Sequence, residues 1–148
     1  LEFSLEQHRE LVRTCKQAGV KYATSVWDLT SAREMIALGP DYLKVPSACN
    51  LNFDLLSLLS REFEGDIHIS LGMTTQAEEE EIVSLLEKFG AAQRTVLYSC
   101  TSGYPVPFED VCLNEITRIQ DRFADRVKEV AFSGHHLGIA DHCSRWSL

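Results

Sequence analysis

Polar residues that could do chemistry recur along this chain, each group directly after a short apolar run. The five groups are Thr24-Ser25, Lys44-Val45-Pro46-Ser47, Ser70-Leu71-Gly72, Ser99-Cys100-Thr101-Ser102 and Ser133-Gly134-His135. A lysine can neutralise a phosphate or carboxylate, hydroxyls can donate hydrogen bonds to it, and an imidazole can bind a metal ion. Gathered in one place, these side chains would suit a small phosphorylated or carboxylated ligand, with room for a metal.

The segments around these groups alternate between strand and helix patterns. The periodicity predicts strands over 20–26, 41–45, 67–70, 95–98 and 127–132. It predicts helices over 5–17, 53–61 and 113–123, and two further helices that begin near residues 29 and 75. Thr30 and Asn52 are predicted to cap the second and third helices, and Thr75 forms a capping box with Glu78. This alternation predicts a parallel sheet with right-handed crossovers, so the polar groups meet at its carboxyl edge.

An open doubly wound sheet and part of an eight-stranded barrel both fit about five strands. Polar residues at every strand end favour the barrel, because an open sheet concentrates its site at one switch point. We therefore expect an α/β fold of the parallel (β/α) TIM-barrel type, incomplete, with about five of eight strands present. A barrel that lacks three strands cannot close, so its edge strands would need a partner.

The composition of the 148-residue chain limits the classes of partner. Its formal net charge of -8 at pH 7 argues against a general nucleic-acid binder or an anionic-membrane binder, because both of these ligands are polyanions. No apolar run approaches the roughly 20 residues that span a bilayer. The five cysteines are odd in number and lack CxxC spacing, which favours reduced thiols and a cytoplasmic location.

Two further features favour a structural role over a site. The acidic run 78–81 falls in the first turns of the fourth helix, where carboxylates on a solvated face interact favourably with the helix dipole. His8 lies on one face of the first predicted helix and His68 lies within a predicted strand. We interpret the acidic run as a solvated helix face and both histidines as structural residues.

Six stretches, in order and spacing, resemble the sialic acid synthase family, which includes the N-acetylneuraminate, legionaminate and pseudaminate synthases. They are Tyr22-Ala23-Thr24-Ser25-Val26-Trp27-Asp28, Leu43-Lys44-Val45-Pro46-Ser47, Ile69-Ser70-Leu71-Gly72-Met73, Ser99-Cys100-Thr101-Ser102-Gly103-Tyr104-Pro105, Pro107-Phe108-Glu109-Asp110-Val111 and Phe132-Ser133-Gly134-His135-His136-Leu137-Gly138-Ile139. The resemblance implies a partial TIM-barrel catalytic domain over 1–140, holding the third to seventh barrel strands. The last eight residues, 141–148, would be an atypical C-terminal tail.

The resemblance also implies an activity. Members of the family condense phosphoenolpyruvate with an N-acetylated amino sugar such as N-acetylmannosamine, giving a nonulosonic acid and phosphate. Their full-length proteins form homodimers, in which a small antifreeze-like domain closes over the neighbouring subunit's site. The partners expected here are therefore these small-molecule substrates, with no nucleic acid and no membrane.

The resemblance assigns roles residue by residue. Lys44 matches a catalytic lysine that binds phosphoenolpyruvate, and Tyr104 matches a tyrosine that lines the amino-sugar pocket. His135 matches a ligand of a divalent metal, manganese or magnesium, which would polarise the sugar aldehyde. The positions that contact the phosphate and carboxylate, in their side chains or neighbouring backbone, are matched by Ser25, Ser47, Ser70, Ser102 and Ser133.

The sequence departs from the family at two places. Cys49 stands where the family usually has Glu or Asp, which is implicated in handling protons at the reacting centre. A thiol could take that role if its pKa were lowered, and an apolar filler is an equally good interpretation. At the C-terminus, His142 and Cys143 stand where the family continues into a long helix, and the context does not favour metal ligands.

Three functions therefore remain open from the sequence. The first is part of a phosphoenolpyruvate-dependent synthase, whose truncated chain would be inactive alone. The second is a non-catalytic binding or assembly module, which the substitution at Cys49 motivates. The third is an aldolase-like enzyme that would use Lys44 as a Schiff-base lysine. The first requires that Lys44, Ser70 and His135 converge at one rim of the barrel.

Overall fold

Strands and helices alternate through residues 3–135, the part of the chain that the computed structural model describes. The helices are α1 (Leu5–Ala18), α2 (Leu29–Leu38), α3 (Phe53–Glu62), α4 (Gln76–Lys88) and α5 (Asn114–Phe123). The strands are β1 (Ala23–Ser25), β2 (Tyr42–Val45), β3 (Asp66–Ser70), β4 (Thr95–Ser99) and β5 (Glu129–Phe132). The predicted tail 141–148, with His142 and Cys143, lies outside the described residues.

The five strands form one parallel sheet in the order β1-β2-β3-β4-β5. Each strand pairs with the next strand in the chain, which is the order of a barrel rather than of a sheet with a switch point. In register, Lys44 lies between Ser25 and His68, and Ser70 lies opposite Tyr98. The predicted fold class is confirmed, and the strand ends lie along one edge.

The helix caps follow the local sequence, with one correction. The Asn52 side chain accepts a hydrogen bond from the Leu55 amide, and Thr75 forms the predicted capping box with Glu78. The predicted cap at Thr30 is wrong, because Asp28 caps α2 through a capping box with Ser31. The Asp28 carboxylate accepts from the Ser31 amide at 2.8 Å, so the helix is capped two residues earlier.

The two faces of the sheet differ in chemistry. One face packs against the helices, and its side chains are fully buried in the hydrophobic core: Leu43, Val45, Ile67, Ile69 and Leu97. Because side chains alternate along a strand, the other face carries the intervening residues. We call it the inner face, defined by Tyr42, Lys44, His68, Ser70 and Tyr98; all but Ser70 are half-buried.

The acidic run at the start of α4 is only partly solvated, which corrects the interpretation of a wholly solvated face. Glu79 is 3% exposed, and its carboxylate accepts hydrogen bonds from Arg118 at 2.7 and 2.9 Å and from Arg122 at 2.6 Å. Packing of α5 beside α4 brings these arginines over the first turn of α4. Glu81 is exposed, as predicted.

Within residues 3–135, no helix combines the length and the apolar character that a membrane crossing requires. The cysteines of this range, Cys15, Cys49, Cys100 and Cys112, are free thiols. Cytoplasmic location stays a prediction.

Candidate functional site

Three serine hydroxyls at the carboxyl edge of the sheet are buried without a hydrogen-bond partner among the described residues. They belong to Ser47 after β2, Ser70 at the end of β3 and Ser102 after β4. A buried hydroxyl normally has a partner, since leaving it without one costs about 1–3 kcal/mol. Ser60 shares this property but lies in α3, away from the edge. The three clustered hydroxyls are therefore donors that suit an anionic ligand.

Gly72 holds this cluster open because it has no side chain. A Cβ atom at this position would overlap the Ser102 Oγ and would lie 2.6 Å from the Ser47 Oγ. Both hydroxyls therefore point at the same small volume beside the Gly72 backbone. A side chain there would displace the groups that are free to bind a ligand.

Asn50 is a site residue that the sequence analysis missed. It is 3% exposed, and its Nδ2 donates to the Ser70 carbonyl at 2.9 Å and to the Gly72 carbonyl at 3.0 Å. The amide thus ties the turn after β2 to the turn after β3. The local spacing of residues does not indicate this role, because Asn50 lies 20 residues before Ser70 and 22 residues before Gly72 in the chain.

Lys44 lies on the inner face and reaches toward β5. Its Nζ is 3.4 Å from the Ser133 Oγ and lies over the Tyr98 ring, 5.4 Å from the ring centroid. Ser133 is itself fixed, because its amide donates to the Ser99 carbonyl at 2.9 Å. Ser25 lies beside Lys44 in register and is exposed. Lys44 and two of the predicted serines therefore lie at one edge.

Tyr104 and His135 meet at the same end of the sheet. Their ring centroids are 4.6 Å apart, and the Val106 amide donates to the His135 carbonyl at 2.8 Å. The Tyr104 side chain is 76% exposed, so its ring is available to a ligand. Residues 3–135 contain no group of three His, Cys, Asp or Glu side chains that could hold a metal, and His136 lies outside this range.

Cys49 is the last residue of a single turn of 3-10 helix that begins at Ser47. Its Sγ donates to the Trp27 carbonyl at 3.4 Å. Burial raises the pKa of the Cys49 thiol, and the negative charge of Asp28 raises it further. The thiol is therefore protonated at neutral pH and is poorly suited to act as a general base.

The inner face also carries a group of rings that the sequence analysis did not connect to the site. His68 Nδ1 lies 2.8 Å from the Tyr98 hydroxyl, and the His68 ring stacks on Tyr42 with centroids 4.1 Å apart. His8 makes a similar bond to Tyr22 at 2.5 Å. Both histidines therefore have an aromatic hydrogen-bond partner, and their structural interpretation stays a prediction.

Comparison with known proteins identifies the family. The family model described as the NeuB family matches residues 1–145. The chain is 31% identical over 140 residues to the N,N'-diacetyllegionaminic acid synthase of Campylobacter jejuni. It is also 31% identical over 139 residues to the N-acetylneuraminate-9-phosphate synthase of Drosophila melanogaster. The alignments cover 94% of this chain but 41% and 36% of these relatives, so the chain spans less than half of their length.

Solved structures agree on the fold. The N-acetylneuraminic acid synthetase of Leptospira borgpetersenii, in complex with citrate, superposes with a TM-score of 0.86 at 21% identity over 95% of this chain and 47% of its own. A spore coat polysaccharide biosynthesis protein E from Chromobacterium violaceum gives 0.90 at 20% identity over 99% of this chain and 42% of its own. The match to the family model shows that this chain, with its buried serines, Lys44 and its strand order, belongs to the NeuB family.

Proposed function

We propose that this chain is part of a nonulosonic acid synthase that condenses phosphoenolpyruvate with an N-acetylated amino sugar such as N-acetylmannosamine and releases phosphate. The observation that carries the proposal is the cluster of buried hydroxyls of Ser47, Ser70 and Ser102, which have no hydrogen-bond partner among residues 3–135 and lie at the edge that Lys44 shares. Such donors suit a ligand with both a phosphate and a carboxylate. Family membership and relatives that are named as synthases of such acids support the same activity.

In this proposal the two substrates occupy different parts of the edge. Lys44 and the serines bind phosphoenolpyruvate, with Lys44 as the cation and the hydroxyls as donors. Tyr104 packs its exposed ring on the amino sugar, and its hydroxyl bonds to the sugar. The phosphate-binding serines are Ser25, Ser47, Ser70, Ser102 and Ser133.

The reaction balances without a redox partner. A carbon–carbon bond forms between C3 of phosphoenolpyruvate and the aldehyde carbon of the open-chain sugar, whose oxygen takes up a proton. The attack leaves C2 electron-deficient, water adds its oxygen to C2, and the bond between C2 and the phosphate oxygen breaks. Inorganic phosphate leaves, and loss of a proton from the added hydroxyl gives a 2-keto acid that carries the sugar carbons. Lys44 would stabilise the anionic reactant by electrostatic contact, which a preorganised cation does at no reorganisation cost.

We also propose His135 as a ligand of a divalent metal, manganese or magnesium. An imidazole nitrogen suits such an ion, and Tyr104 beside it lines the proposed sugar pocket. The described residues supply no set of three such ligands, so we assign no chemical step to the metal. Further ligands would have to come from residues other than those described.

A coupled assay of phosphate release tests the proposal on the purified full-length protein. Phosphoenolpyruvate is combined with N-acetylmannosamine, its phosphorylated form or a diacetylated amino sugar, each with and without manganese. We expect phosphate release that depends on both substrates. Absence of turnover with every sugar, together with no phosphoenolpyruvate binding by calorimetry, would refute the proposal.

Cys49 favours a second candidate function, a binding or assembly module that has lost the chemistry. Its protonated thiol bonds to the Trp27 carbonyl and cannot replace a carboxylate as a base. Cys49→Glu discriminates between the two functions, with Cys112→Glu as the exposed control. A gain in rate for Cys49→Glu indicates that the scaffold is still arranged for synthesis, whereas ligand binding without turnover in both favours the module.

The assembly and location of the whole protein are part of the same proposal. We propose a cytoplasmic homodimer, in line with the family resemblance and with free thiols in the described residues. Light scattering of the full-length protein tests the dimer directly. A monomer at working concentration would contradict it.

A further inference from the structure

A continuous series of ring contacts runs along the inner face and ends at Lys44. The Tyr42 ring stacks on the His68 ring with an interplanar angle of 19°. The Nδ1 atom of His68 bonds to the Tyr98 hydroxyl, and the Tyr98 ring lies under the Lys44 ammonium group. Register accounts for part of this order, because His68 pairs with Lys44 on the neighbouring strand and Tyr42 lies two residues before Lys44, on the same face of the sheet. The series places a fixed aromatic face beneath a cation.

We propose that Tyr98 is a positioning residue for Lys44 and that His68 in turn holds Tyr98. The inference rests on the proposed function, in which Lys44 binds phosphoenolpyruvate. A lysine side chain has a long, flexible stem, so fixing its ammonium group before the ligand arrives reduces the entropy lost on binding. The Tyr98 ring face attracts the cation, and Ser133, the residue after β5, contacts it through its hydroxyl.

The charges around the rings are compatible with this role. Burial lowers the pKa of His68, so the imidazole is neutral at pH 7 and adds no positive charge near Lys44. Burial also raises the pKa of Tyr98, which keeps its hydroxyl protonated. The other charged groups that face the rings, Asp66 and Lys128, form an ion pair with each other at 2.5 Å, and Glu129 lies nearby.

The chain offers a matched control for Tyr98. Tyr22 also bonds to a histidine, His8, but it precedes β1 and, among the described residues, makes no cation–π contact with a lysine. Tyr98→Leu removes the ring, and Tyr98→Phe keeps the ring but removes its bond to His68. Tyr22→Leu and Tyr22→Phe make the same chemical changes at a ring that does not lie under the Lys44 ammonium group.

The test combines two measurements on the full-length protein. In the first, the protein is labelled with lysine carrying ¹³C at Cε, and the NMR resonance of Lys44 is recorded without ligand and assigned by its loss in Lys44→Arg. In the second, calorimetry measures the affinity for phosphoenolpyruvate. We expect an upfield ring-current shift in wild type that is lost in Tyr98→Leu, reduced in Tyr98→Phe and unchanged in both Tyr22 variants. Affinity should fall about threefold to tenfold in Tyr98→Leu, as expected for a cation–π contact.

The outcomes separate this inference from the proposed function. An unchanged Lys44 resonance in Tyr98→Leu overturns the inference, as does a loss of affinity in Tyr22→Leu equal to that in Tyr98→Leu. If the wild type binds no phosphoenolpyruvate, the proposed function fails, and the resonance alone still decides whether Tyr98 holds Lys44. A purely structural role for Tyr98 would lower the melting temperature without moving the Lys44 resonance relative to wild type.

Discussion

The Nζ of Lys44 lies 3.4 Å from the Oγ of Ser133, although 89 positions separate them in the chain. Lys44 is in β2 and Ser133 follows β5, with β3 and β4 between them. Three strand spacings would separate these strands by about 14 Å in a flat sheet. The contact therefore requires a sheet that curls toward its inner face, as the wall of a barrel does.

Replacing Lys44 with glutamine should weaken phosphoenolpyruvate binding at least about tenfold, because a hydrogen bond to a charged group contributes about 1.5–3 kcal/mol. Calorimetry on the full-length protein measures the change. Lys16→Gln is the control, since Lys16 is exposed in the last turn of α1. Equal affinities in the two variants would remove Lys44 from the site.

A Gly72→Ala substitution should abolish anion binding while the protein stays folded. The added methyl group would collide with the Ser47 and Ser102 hydroxyls, and overpacking of this kind costs about 1–3 kcal/mol. Gly103→Ala is the matched control at the same edge, because its nearest contact is the Val106 Cγ2 at 3.3 Å. Phosphoenolpyruvate affinity and the free energy of unfolding are measured for both. Wild-type affinity in Gly72→Ala would contradict the proposed cluster.

Glu79→Gln should destabilise the fold by about 2–3 kcal/mol, somewhat less than for a fully buried pair because Arg118 and Arg122 are 25% and 27% exposed. The neutral amide would remove the buried carboxylate that both guanidinium groups share, leaving Arg118 with Glu115 and Arg122 with Glu80. Denaturant titration measures the loss, and Glu81→Gln on the exposed side of α4 is the control. A loss no larger than in Glu81→Gln would show that the bonds contribute little.

Stability should fall as the pH drops below 6.5, the ordinary pKa of histidine, in part because of His68. Its pKa is lowered in the folded state by burial, so the unfolded chain binds this proton first and acid favours unfolding. The contribution of His68 is at most about 1.4 kcal/mol per pH unit. His68→Asn keeps a donor or acceptor for Tyr98 and cannot titrate. The free energy of unfolding, measured between about pH 5 and pH 7, should therefore depend less on pH in this variant. An unchanged pH slope in His68→Asn would assign the dependence to other groups.

The sequence predicted the parts of the site that follow from local periodicity. A polar residue after an apolar run must lie at a strand end, so the pattern of the chain alone placed Lys44 and Ser70 at the shared edge. The roles of Asn50 and Tyr98 could not be predicted, because their partners are loops and strands that only folding brings together. The burial of Glu79 depends on α5, which lies about 40 residues further along the chain.

The fold was predictable for a related reason. Alternating strands and helices leave few topologies, and polar residues at every strand end selected the barrel order among them. Helix starts were less certain, because Asp28 and Thr30 are both good caps and only the bond to the Ser31 amide decides between them. The tail 141–148 stays a prediction.

The single amide of Asn50 divides the edge into a stiff part and an adjustable part. Because it joins the turn after β2 to the end of β3 and the turn that follows, Ser47 and Ser70 are held in a fixed relation to Gly72. Tyr104 lies on the loop after β4, and its ring is largely exposed. Libraries aimed at new sugars can therefore be restricted to the part of that loop from Tyr104 onward, so that Ser102 and the rest of the anion pocket stay unchanged.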